Sequence, residues 1–136
     1  MSNLECSSKG DKRFSAFYAY VDFNGKYDSI ERHYQSAKRN AQHQPCHKGE
    51  YVSYIVIAEQ KLPASDLTPF YRYLWYLYLR QNPALVDCAT KFDTFSDMFR
   101  GKSVNCQADC VKAYVNRDQV FYKPILQFCK KLNITL

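Results

Sequence analysis

Glycine and proline are scarce in this chain of 136 residues, with four and five copies respectively. Long flexible linkers, collagen-like stretches and low-complexity segments are thereby excluded, and no internal repeat is present. No run of eighteen apolar residues exists, and the richest window, Leu74 to Leu79, is short and broken by tyrosine. Nothing is therefore expected to span a membrane. The N-terminus, MSNLECSSKGDKR, lacks the apolar stretch of a signal peptide. A cytoplasmic protein is the expectation, or one of the host cytoplasm if this small, tyrosine-rich form is viral.

Familiar chemical motifs are missing too. The chain has no GxGxxG, GxxxxGK[ST], HExxH or GxSxG, which argues against a dinucleotide fold, a P-loop and common hydrolase triads. None of the six cysteines (6, 46, 88, 106, 110, 129) forms a CxxC pair. In a reducing compartment they read as free thiols. His33, His43 and His47 are spaced too irregularly to define a metal site and read as surface or capping histidines. No metal and no cofactor are expected.

Aromatic residues are abundant: twelve Tyr and nine Phe, within a 46% hydrophobic composition. Such a chain can bury enough apolar surface to fold. The net charge of +6 suits an anionic ligand or nucleic acid, and equally a solvated basic surface. The expected fold class is mainly α (α+β): a compact helical domain over residues 13–136 with a short N-terminal β-hairpin, preceded by a flexible tail over 1–12.

The hairpin turns at Asn24-Gly25, where both residues tolerate positive φ. Asp28 or Ser29 caps a helix running to about Asn40, with Ile30, Tyr34 and Ala37 as its apolar stripe. Glu31, Gln35 and Lys38 repeat that spacing one residue later as a polar row. Residues 51–59 are ambiguous: Val52, Ile55, Val56 and Ile57 suit a strand, the following Ala-Glu-Gln-Lys a helix. Thr68-Pro69 opens a helix to Gln81 that is apolar nearly all round and so central. Asn82-Pro83 starts a short helix, residues 92–101 read as a loop, Ser103 caps a helix to Val115, and a last helix covers Gln119 to Leu132.

Two stretches stand out for chemistry. One holds Phe14-Ser15-Ala16-Phe17, Asn24-Gly25-Lys26 and the helix with Glu31, Gln35 and Lys38; the other runs from Asp97 to Gln107. Together they resemble the signature of the NADAR family, the NAD- and ADP-ribose-associated domains. There an FSNF-like segment precedes a glycine turn and a helix of pattern S-E-H-x-x-Q-x-x-K, and a later G-x-N or G-K-N element opens another helix after an aspartate loop. Glu31, Gln35 and Lys38 keep the intervals of four and three. Gly101-Lys102-Ser103-Val104-Asn105 is similar to the late element, with Asp97 at the acidic position. Ala16 replaces the asparagine of FSNF, Ile30 intrudes between Ser29 and Glu31, and Arg32 stands in place of histidine. The late tryptophan-glycine-aspartate is represented only by Asp97-Met98-Phe99.

The resemblance implies hydrolysis of an N-glycosidic bond in an ADP-ribosyl or ribosyl-phosphate substrate, for example ADP-ribosylated guanine in nucleic acid. Cleavage builds positive charge on the ribose, which a fixed carboxylate stabilises, or it activates water. Glu31 is the candidate, with Asn105 and Asp97 completing the catalytic set. Phe14, Ser15, Phe17, Tyr18, Gln35, Lys38, Arg100 and Lys102 are candidate substrate contacts, Tyr18 or Phe17 stacking on a base and the cations holding phosphate. Two alternatives stand beside this: a non-catalytic protein sequestering an ADP-ribose-derived nucleotide, and a basic nucleic-acid-binding module.

Overall fold

One helix organises the molecule. In this computed structural model, which describes residues 2–98 and 105–136, α2 (Leu67–Arg80) packs against every other helix and against the N-terminal hairpin. The other helices are α1 (Ile30–Ser36), α3 (Pro83–Ala89), α4 (Gln107–Val115) and α5 (Gln119–Lys131). Of the fourteen residues of α2, Phe70, Tyr71, Tyr73, Leu74, Trp75, Leu77, Tyr78 and Leu79 are buried. An apolar surface extending around most of a helix can be shielded only by neighbours on several sides.

The strands form three small sheets. Strand β1 (Asn3–Glu5) runs parallel to β7 (Thr94–Ser96), β2 (Tyr20–Phe23) and β3 (Lys26–Ser29) form an antiparallel hairpin, and β4 (Lys38–Arg39), β5 (Tyr54–Ile57) and β6 (Gln60–Pro63) form an antiparallel set. The first hairpin turns where expected, with Asn24 and Gly25 at φ 55° and 78°. The fold is α+β, with more sheet than the single hairpin anticipated.

Several expectations need correcting. The helix after Ser29 stops at Ser36, not near Asn40, and Lys38 begins β4, paired with Ile55. The ambiguous stretch is a strand followed by a turn at Ala58-Glu59, both at positive φ; pairing with β4 and β6 outweighs the helical preference of Ala-Glu-Gln-Lys. Residues 94–96 are β7 rather than loop. Its partner β1 lies within the first twelve residues, where Leu4, Cys6 and Ser7 are buried. Helix α4 begins at Gln107; the expected cap, Ser103, lies outside the described residues. His33 is a buried histidine, its Nε2 2.9 Å from the Val21 carbonyl.

The connections bring distant stretches of the chain together. Because β7 leads through Asp97 towards α4, and β1 holds β7 in place, Asn105 is brought against α1 and Gln107 against the turn over residues 14–19. No helix among the described residues is long and apolar enough to cross a membrane.

Candidate functional site

Helix α1 is anchored at its start by its own cap and by the preceding turn. Ser29 Oγ accepts from the Arg32 N–H at 3.1 Å, the N-cap bond that a serine supplies. The Ile30 and Glu31 N–H groups donate to the carbonyls of Ala19 and Ala16, at 2.9 and 3.0 Å. First-turn donors that lack a partner within the helix are thus taken up by the segment around Ser15. Phe14 and Ser15 are completely buried. They offer a ligand no surface and instead shape the platform from which Phe17 and Tyr18 project, 53% and 52% exposed. The Lys12 ammonium lies 5.0 Å from the Tyr18 ring.

Glu31 is half-buried. Gln35, one turn on and exposed, donates from Nε2 to Glu31 Oε1 at 2.7 Å, so the expected polar pair exists. Lys38 reaches the same neighbourhood from β4 rather than from the helix. Its Nζ sits 4.5 Å from the centre of the Tyr34 ring. Burial pushes the Lys38 ammonium below the usual lysine range, while the negative charge of Glu31 pulls the other way. Burial also raises the Tyr34 phenol; the Asn105 hydrogen bond opposes this and Glu31 adds to it.

Asn105 and Gln107, at the end of the late stretch, join here. Asn105 Nδ2 donates to the Tyr34 hydroxyl at 2.8 Å across 71 residues of sequence. Gln107, 4% exposed, accepts at Oε1 from the Ala16 N–H at 2.7 Å across 91 residues. Ala16 is therefore held on both sides, its N–H by α4 and its carbonyl by Glu31. Asp97 is buried, and the Cys106 thiol lies 3.8 Å from its Oδ2. The structure brings Glu31, Gln35, Lys38 and Asn105 together around Tyr34. Arg100 and Lys102 lie outside the described residues.

Sequence reasoning missed Tyr34 and Gln107 as contributors. Tyr34 occupies an apolar-stripe position, and only its hydroxyl, which a phenylalanine would lack, hinted at a polar task. Gln107 gave no local signal, because its partner is a backbone N–H distant in sequence. Two cavities lie elsewhere among the described residues. A cleft of about 740 Å³ opens beside Tyr76, Tyr114, Tyr122, Arg117 and Lys123, and a smaller pocket of about 140 Å³ beside Phe23 and His33. Neither is lined by Glu31 or Asn105. Among the described residues, no three His, Cys, Asp or Glu side chains are grouped so as to hold a metal ion.

Among known families, the model for a DarT1-associated NADAR antitoxin fits residues 2–123. No curated protein matches the chain.

Proposed function

The chain belongs to the DarT1-associated NADAR antitoxin family, and from that premise we propose that it removes ADP-ribose from ADP-ribosylated guanine in nucleic acid, undoing a modification made by an associated toxin. The reaction is hydrolysis. The bond between the ribose anomeric carbon and the base nitrogen breaks, its electron pair leaves with the base, and a water oxygen bonds to the carbon. One proton of that water is released and the base nitrogen takes up another, so free ADP-ribose and an unmodified base result.

The observation that carries this reading is the half-buried Glu31 carboxylate, hydrogen-bonded to Gln35 and one helical turn from the Tyr34–Asn105 contact. A carboxylate fixed beforehand stabilises an oxocarbenium ion, or takes a proton from water, without reorganising during the reaction. Lys38 and Asn105 are the proposed holders of ribose hydroxyl or phosphate oxygens. The exposed rings of Phe17 and Tyr18 are the proposed surface for a base, with Tyr20 and Tyr27 continuing it along the hairpin, their ring centres 5.5 Å apart. Exposed aromatics beside lysines suit single-stranded nucleic acid.

The test is release of ADP-ribose from an ADP-ribosylated, guanine-containing oligonucleotide, followed by mass spectrometry. Glu31→Gln should reduce release by about a hundredfold to a thousandfold while leaving binding within a few fold; full activity in that variant removes Glu31 from the mechanism.

A second reading, sequestration of an ADP-ribose-derived nucleotide without turnover, is favoured by the burial of Asp97 beside Cys106. That placement leaves Glu31 as the accessible carboxylate of the candidate set. A thermal shift with ADP-ribose and no released product would select it.

A further inference from the structure

We propose that Tyr34 is a positioning residue of this site, its hydroxyl orienting the Asn105 amide and its ring face seating the Lys38 ammonium. Its kinetic consequence rests on the glycosidase reading; its structural consequence does not.

Tyr34 lies on the buried side of α1 with Ile30, next to the buried Ala37 that caps the helix. Phenylalanine would fill nearly the same volume, so packing alone does not call for a hydroxyl. A buried hydroxyl is costly unless it is paired, and the partner here comes from the far end of the chain, 71 residues away. An amide group is planar. Holding Asn105 Nδ2 on the phenol oxygen therefore also restricts the direction of Oδ1. The phenol oxygen accepts from Asn105, which leaves its own O–H free to donate onward.

The ring does separate work. Tyr71 from α2 packs edge-on against it, with centres 5.1 Å apart, which settles its plane. One ring face then meets Lys38 Nζ at 4.5 Å, within the range where a ring quadrupole attracts a cation. That attraction helps keep a half-buried ammonium in place although burial disfavours its charge. A single side chain thus sets two polar groups that reach α1 from different parts of the fold. Small displacements of such groups are costly, because about 1 Å of misplacement can lower a rate on the order of a hundredfold.

Tyr34→Phe removes only the hydroxyl. Turnover on the ADP-ribosylated oligonucleotide should fall about tenfold with KM within twofold, a smaller loss than full misplacement because the ring remains. In an Asn105→Ala background the same change should cost nothing further, since the hydroxyl acts through Asn105. Full activity in Tyr34→Phe, or additive losses, would overturn the proposal. If the wild-type protein releases no ADP-ribose, the glycosidase reading fails, and the positioning claim is decided by NMR. The side-chain amide protons of Asn105, assigned by their absence in Asn105→Ala, should exchange slowly in the wild type and rapidly in Tyr34→Phe; equal exchange overturns the claim. For the ring, acetic anhydride should modify Lys38 several times faster in Tyr34→Leu than in Tyr34→Phe, and equal modification would refute that part.

Discussion

The surroundings of α1 and the tyrosine cleft beside α4 and α5 make opposite uses of aromatic and polar residues. Around α1, Gln35, Asn105 and Gln107 each direct an amide to a single partner, over separations of 4, 71 and 91 residues. In the cleft, Tyr76, Tyr114 and Tyr122 meet mainly ring to ring, with centres 5.5 to 6.5 Å apart, and the Tyr122 hydroxyl is occupied by the Cys110 carbonyl at 2.7 Å. The cleft holds about 740 Å³; the neighbourhood of Glu31 is marked instead by specified polar contacts. Volume marks where something could fit. Polar groups fixed by partners distant in the chain mark where charge can be handled, because orienting them costs entropy that packing alone does not demand.

The sharpest break of this comparison is Glu31→Gln, expected to reduce ADP-ribose release by about a hundredfold to a thousandfold in single-turnover assays, the scale of a lost electrostatic stabiliser. Gln107→Ala comes next. It strands the buried Ala16 N–H and should cost about 1–3 kcal/mol in urea unfolding. Because the Ala16 carbonyl holds the Glu31 N–H, activity should also fall at temperatures where the variant remains folded. Tyr122→Phe is the matched control. It loses one hydrogen bond, should cost about 1 kcal/mol, and should leave release unchanged; a comparable loss of activity would move the chemistry towards the cleft.

The smallest effect is expected at Lys38. Burial lowers its folded-state pKa below the unfolded value, so the penalty on folding is fully present while both states are protonated. It fades as pH rises through the folded and then the unfolded value. Lys38→Met should therefore melt slightly higher than wild type at neutral pH, with the difference closing as pH enters the lysine range. A difference independent of pH would mean that burial is not what strains this lysine.

Much of the architecture could be read from residue order. Helix α2 announced itself through Thr68-Pro69 and its apolar residues, and the first hairpin through Asn24-Gly25, because these signals act within a few residues. The helix over 119–131 was equally legible. Residues 54–63 were not, since the turn at Ala58-Glu59 uses positive φ at residues that do not advertise it. The strands β1 and β7 were invisible for a similar reason: three residues each, they form only by pairing across about 90 positions.

The same division runs through the site. Order along the chain determined which groups were available: Glu31 and Gln35 at an interval that helix geometry makes adjacent, and an amide-bearing segment ahead of α4. Only the tertiary structure decided that Asn105 would meet Tyr34, that Gln107 would hold Ala16, and that Lys38 would approach from a strand. Helical neighbours follow from a fixed rise and rotation per residue. Partners across the fold are chosen by packing around α2 and by the need of every buried polar group for a mate, and neither is written in any short stretch of sequence.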